Sequence, residues 1–236
     1  MLNFRYAVYS YLDEYLRVDK RCIDALELDV SPAASCEALS RMAAFYNINR
    51  NLATKDEAWR LEAVHNLLRR VQRPATDQEV AECVENFSIE LGKAYPRKSG
   101  TTPTLLSAAS KFLWMRFQSP VVMYDRYAWQ WIKDIAKLRD TSSYAEYLQA
   151  WCTSFSDYKA EIAEACSEIV PFKRYTLAGG MADDQLRKLV LEVWFRERVF
   201  DHAIVEAAAR LDEEKGCYPE NSPARTARDF AWLGRK

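Results

Sequence analysis

The residues best placed to do chemistry in this chain are Lys111 and Asp125, within the run TTPTLLSAASKFLWMRFQSPVVMYDRYAWQWIK, residues 101–133. Lys111 is flanked by Ser110, Phe112 and Trp114, in a stretch where Leu106, Ala109, Leu113 and Phe117 recur at helical steps. Thr102-Pro103 reads as the start of that helix, with Thr102 as N-cap and Pro103 at the first position, where a missing N–H costs nothing. Gln118-Ser119-Pro120 stops it, because proline disfavours helix in the residue before it. The apolar passage Val121-Val122-Met123-Tyr124 leads to Asp125, the expected N-cap of a second helix with Trp129, Ile132, Ile135 and Ala136 inward. Packed neighbours joined by a tight turn would let Lys111 and Asp125 face one pocket. Burial lowers a lysine pKa and exposes the neutral amine, a nucleophile. A nearby carboxylate stabilises developing positive charge. The same residues admit a structural reading: a lysine snorkelling from an amphipathic helix, and an aspartate that only caps.

A family resemblance rests on this run. SAASKFLWMRFQSPVVMYDRYA resembles the Ser-x-Ala-Ser-Lys segment, aromatic helix and proline turn ending in Tyr-Asp of bacterial proteins with the 8-oxoguanine DNA glycosylase fold. Those proteins are a diverged branch of the helix-hairpin-helix DNA glycosylase superfamily. The resemblance implies an all-α fold with a central cleft. It gives Lys111 the role of the lysine that forms an imine at the sugar C1′, and Asp125 that of the aspartate that stabilises the oxocarbenium-like sugar. It matches Ser99 and Gly100 to the end of the hairpin that holds DNA phosphate. The superfamily's usual Leu-Pro-Gly-(Val/Ile)-Gly hairpin is replaced here by YPRKSGTTPT, and its usual lysine position falls about one helical turn before Lys111.

The residues of that replacement carry their own signal. Arg97 and Lys98 stand beside Ser99, Gly100, Thr101 and Thr102, directly before the expected helix start. Cations, hydroxyls and free N–H groups at a helix N-terminus suit an anion, which for DNA is a backbone phosphate. A plain basic loop is the simpler alternative. Trp114, Tyr124, Tyr127 and Trp129 are candidates to stack on a flipped base, although aromatics at helical spacing are commonly core.

Composition bounds these readings. A chain of 236 residues with 49% hydrophobic content can bury a core as one domain, or as two helical subdomains of about 1–100 and 101–211 with an arm at 212–236. Net charge is −1, so DNA binding would need a local basic patch rather than a global field. Six scattered cysteines without a Cys-x-x-Cys pair, and two histidines, give no expected metal or other cofactor. The first residues, MLNFRYAVYSYLDEY, lack the apolar run of a signal peptide or membrane span, so a cytoplasmic, monomeric protein with reduced thiols is expected.

The remaining chain reads as helices. They are expected at 3–18, from Ser31-Pro32, after capping boxes at Thr54–Glu57, Thr76–Glu79 and Ser143–Glu146, and from Asp183 to about Leu211. Thr176 to Ala182 reads as a flexible linker. Arg196, Glu197, Arg198, Asp201 and His202 read as ion pairs along the last helix. The functional expectation is a DNA glycosylase, with or without AP-lyase activity, acting in DNA repair or against modified phage DNA. The alternative is a helical nucleic-acid-binding or protein-interaction module without chemistry.

Overall fold

Several helix starts follow from a local hydrogen bond. In the computed structural model, which describes residues 2–27, 31–49, 52, 61–97 and 99–214, Ser31 caps α3 by accepting from Ala34 N–H, with Pro32 at the first helical position. Thr76 caps the helix Asp77–Ala94 through Glu79 N–H, while the Glu79 carboxylate accepts from Ala75 N–H, one residue earlier than a capping box has it. Ser143 and Glu146 form the full reciprocal box at the start of α8. Lys98, the Thr54–Glu57 box and the basic tail after residue 214 lie outside the described residues.

The fold is all-α. Ten α-helices are present among the described residues: α1 (Phe4–Glu14), α2 (Lys20–Glu27), α3 (Pro32–Phe45), α4 (Glu62–Arg70), α5 (Asp77–Ala94), α6 (Leu106–Phe117), α7 (Arg126–Ala136), α8 (Tyr144–Ser167), α9 (Asp183–Leu191) and α10 (Val193–Glu214). No strand occurs among them. None of these helices is long and apolar enough to cross a membrane.

Three boundaries differ from the sequence reading. The first helix does not stop near residue 18: a π turn at Tyr15–Asp19 carries it into α2 and turns both Tyr15 and Asp19 inward. The expected linker at 176–182 folds as a 3₁₀ turn, Leu177–Gly180, directly after another at Val170–Tyr175. The linker turn is pinned by buried Ala178 and by Leu177 N–H donating to the Asp13 carboxylate at 2.7 Å. The last helix breaks at extended Glu192, and Arg196 Nε–H reaches back to the Val190 carbonyl that the break leaves unpaired within the helix.

α6 is the organising element. Nine of its twelve residues are buried, Lys111 among them, so it is a central helix and not the amphipathic one of the structural alternative. α2, α4 and α5 pack around it. α1, α7, α8 and α10 form a second group, joined to the first chiefly by α5 against α8. α1 therefore sits with the C-terminal helices, across the division near residue 100 that the sequence suggested. One apolar cluster runs through both groups. α6 belongs to one group and α7 to the other, so the turn between them crosses the junction.

Candidate active site

The approach to α6 is set by a glycine. A Cβ on Gly92 of α5 would lie 2.1 Å from the Pro103 carbonyl oxygen, so the returning chain can press against α5 only there. Pro103 and Leu105 are buried, and Leu105 N–H donates to the buried Ser88 hydroxyl at 2.8 Å. This packing holds residues 101–105 outside the helix, without regular secondary structure. The helix consequently begins at Leu106, not at Thr102-Pro103.

The hairpin between α5 and α6 is closed by Gly100 N–H to the Arg97 carbonyl (2.8 Å) and by Arg97 N–H to the Thr101 carbonyl (2.9 Å). Gly100 has φ +78°, which favours glycine. Arg97, Ser99, Gly100, Thr101 and Thr102 are all exposed, and the Ser99 and Thr101 hydroxyls pair at 2.9 Å. Because α6 starts later, this tip stands apart from the helix N-terminus, and any anion it meets sees a turn rather than a helix dipole.

After α6, Gln118 (φ +53°) turns the chain and its side-chain amide donates to the Met115 carbonyl at 3.0 Å; the Ser119–Pro120 peptide is cis. Residues 121–124 then form a strap without regular secondary structure, fastened by side chains. The Val122 carbonyl accepts from Tyr144 O–H (2.6 Å) and the Met123 carbonyl from Tyr147 O–H (3.1 Å). Tyr124 N–H donates to the Ser110 hydroxyl (2.8 Å), and the Tyr124 carbonyl accepts from Lys111 Nζ (2.9 Å). Buried backbone groups need partners, and here α6 and α8 supply them.

The strap delivers Asp125 to Lys111. Asp125 caps α7 as expected, its Oδ1 accepting from Tyr127 N–H at 2.9 Å. Its Oδ2 lies 3.5 Å from Lys111 Nζ. Lys111 Nζ also donates to Ser107 Oγ at 2.9 Å. The two partners differ in access: the Lys111 side chain is 4% exposed and that of Asp125 37%. Burial lowers the Lys111 pKa, opposed by the Asp125 charge and reinforced by the Arg198 charge.

Of the aromatics proposed to meet a base, Tyr124 and Trp129 come together beside Asp125. Their ring centroids are 5.8 Å apart, and Tyr147 packs against both at 5.0 and 6.0 Å. Tyr127 is half-buried beneath the Arg126 guanidinium, 5.6 Å over its ring. Trp114 is 1% exposed and packs on Trp194 and Arg198, leaving no face open to a base. The sequence reading missed Ser107, Ser110, Tyr144 and Tyr147. Ser107, Ser110 and Lys111 share one helix face at i, i+3 and i+4, and hydroxyls on an otherwise apolar helix were the available signal.

Behind this pair lies a second charged cluster. Arg198 Nη1 pairs with Asp201 at 2.9 Å and Nη2 with Glu14 at 3.3 Å, while its guanidinium covers the Tyr11 and Trp114 rings at 5.2 and 5.3 Å. Trp151 Nε1–H donates to Asp201 at 2.8 Å, His202 lies 3.1 Å from Glu14, and Tyr46 O–H lies within reach of both Glu14 and Asp19. Burial, then the Glu14 charge, pushes Asp19 up to about 8. Glu14 is also opposed by burial, yet His202, Arg198 and Tyr46 hold it down at about 2.

Among the described residues no three His, Cys, Asp or Glu side chains converge as metal ligands. Grooves of about 400 and 260 Å³ lie elsewhere: one along α2 and α3, lined by Arg17, Arg21 and Arg41, and one lined by His65, Arg69 and Arg116. No protein-family model, curated protein or solved structure matches the chain.

Proposed function

We propose that this protein is a DNA glycosylase that excises a damaged or modified base by chemistry at the sugar C1′, in DNA repair or in defence against modified phage DNA. The observation that carries the reading is the meeting of Lys111 and Asp125, 3.5 Å apart across the α6–α7 turn, with the carboxylate on the accessible side. Aromatic surface from Tyr124 and Trp129 adjoins that carboxylate, as a flipped base would require. The exposed hairpin with Arg97, and Arg126 beside Asp125, offer local cations to phosphate on a chain whose net charge is −1. Asp125 stabilises the sugar cation as the C1′–N bond lengthens.

The test is base release. Duplexes carrying 8-oxoguanine, uracil or 5-hydroxymethyluracil, and genomic DNA from phages with modified bases, are incubated with the protein, and free base is measured by mass spectrometry. The wild type is expected to release at least one of these bases, with Asp125→Asn slower by about 10²–10⁴-fold. Absence of release from every substrate, with DNA binding unaffected by Asp125→Asn, would leave a binding module without chemistry.

A further inference from the structure

The Lys111 amine has no free valence. Nζ is tetrahedral: one direction is the Cε bond and three remain. Ser107 Oγ at 2.9 Å, the Tyr124 carbonyl at 2.9 Å and Asp125 Oδ2 at 3.5 Å fill those three, with the Ser107 carbonyl at 3.5 Å as a further acceptor. An ammonium satisfies this arrangement with three donated N–H bonds. A neutral amine satisfies it equally, because the Tyr124 carbonyl and Asp125 take its two N–H groups and the Ser107 hydroxyl donates to its lone pair. In the first state there is no lone pair, and in the second it points inward to α6. A nucleophile needs that pair aimed at C1′ from about 3–3.5 Å. To reach substrate, Lys111 would have to abandon these partners and pass the carboxylate that lies outside it.

The neighbouring groups point the other way. Asp125 has one oxygen fixed by Tyr127 N–H and the other by Lys111, so its carboxylate plane is set from two sides while it stays partly open. Such a group is held for use by something outside the fold.

We infer that Lys111 is a positioning residue that orients Asp125, and that the protein releases a base without forming an imine, leaving the abasic strand uncut. This rests on the glycosylase reading above. The step balances as a hydrolysis. The C1′–N bond breaks with its electron pair going to the base. Water adds its oxygen to C1′ on the side that Asp125 faces, and Asp125 accepts the water proton. One proton is returned to the departing base, and the products are free base and an intact abasic site.

The experiment uses a duplex with a single abasic site, sodium borohydride and the 236-residue chain, beside the base-release assay. The expected result is no covalent protein–DNA adduct, and strand breaks that appear only after heat or alkali. Lys111→Gln is expected to keep base release with KM unchanged and kcat lowered roughly tenfold, the size of a positioning defect. A borohydride adduct in the wild type that Lys111→Gln lacks would overturn the inference while leaving the glycosylase reading standing. No base release by any form would remove both. Should Lys111→Gln fail to fold, the ratio of released base to nicked strand in the wild type decides alone: far above one supports hydrolysis, and near one overturns it.

Discussion

Lys111–Asp125 and Arg198–Asp201 are both ion pairs reached from buried cations, yet they are built to opposite ends. At Arg198 every partner is enclosed: the side chains of Arg198, Asp201 and Glu14 are 7%, 5% and 14% exposed, and aromatic rings close the guanidinium faces. At Lys111 only the cation is enclosed, and the carboxylate is more than a third exposed. A charge sealed on all sides can only hold the fold. A charge fixed from behind and open in front keeps its field for a visitor.

That contrast can be broken at the sealed end first. Arg198→Met should be the most damaging change, costing about 3–5 kcal/mol, because Glu14 and Asp201 would remain buried without their cation. Denaturant titration checks it; a loss below about 1 kcal/mol would mean the cluster is not sealed.

A smaller effect, of opposite sign, is expected at Asp19. Its folded-state pKa of about 8 lies above the unfolded value near 3.8, so the folded state retains a proton that the unfolded state sheds. The resulting penalty grows as pH rises from about 4 to 8 and is level above that. Asp19→Asn removes it and should raise the melting temperature little at pH 4 and increasingly toward pH 8. Glu14 has the reverse sign: its contribution is present above about pH 4.5 and is lost as pH falls toward 2. Thermal melts between pH 2 and 9 with wild type and Asp19→Asn separate the two.

The smallest stability effect is expected at the open end. Asp125→Asn keeps a side-chain oxygen for Tyr127 N–H, and asparagine caps helices about as well as aspartate, but the buried Lys111 loses its counter-charge, so stability should fall by about 1–2 kcal/mol, well short of the Arg198→Met loss. The same variant that nearly abolishes base release would then lower the melt only modestly, whereas Arg198→Met would lose both.

Sequence made the local parts of this site legible. Asp125 could be read as a cap because a cap is decided within three residues, and the Ser143–Glu146 box for the same reason. Gln118-Ser119-Pro120 marked the end of α6 through proline sterics. The missed features depend on distant neighbours. The non-helical path through Pro103 exists because Gly92, on another helix, admits it. Lys111 reads as snorkelling when α6 is treated as amphipathic, and its burial follows only once α2, α4 and α5 surround that helix. Arg198 and Asp201 sit at i, i+3 and look like a surface pair; α1 and α3, which supply Glu14 and Tyr46, seal them.

The strap at 121–124 has a consequence for how the molecule opens. Its attachments are four side-chain hydrogen bonds and the buried surface of Val121, Val122 and Met123, with no backbone ladder shared with a neighbour. Helices melt cooperatively, whereas a segment tied this way detaches at its own free energy, so its amides exchange with solvent as a separate unit. Because the Tyr124 carbonyl is one of the attachments, the same excursion unseats Lys111 while α6 and α7 stay folded, and the lifetime of the pair is the lifetime of the strap.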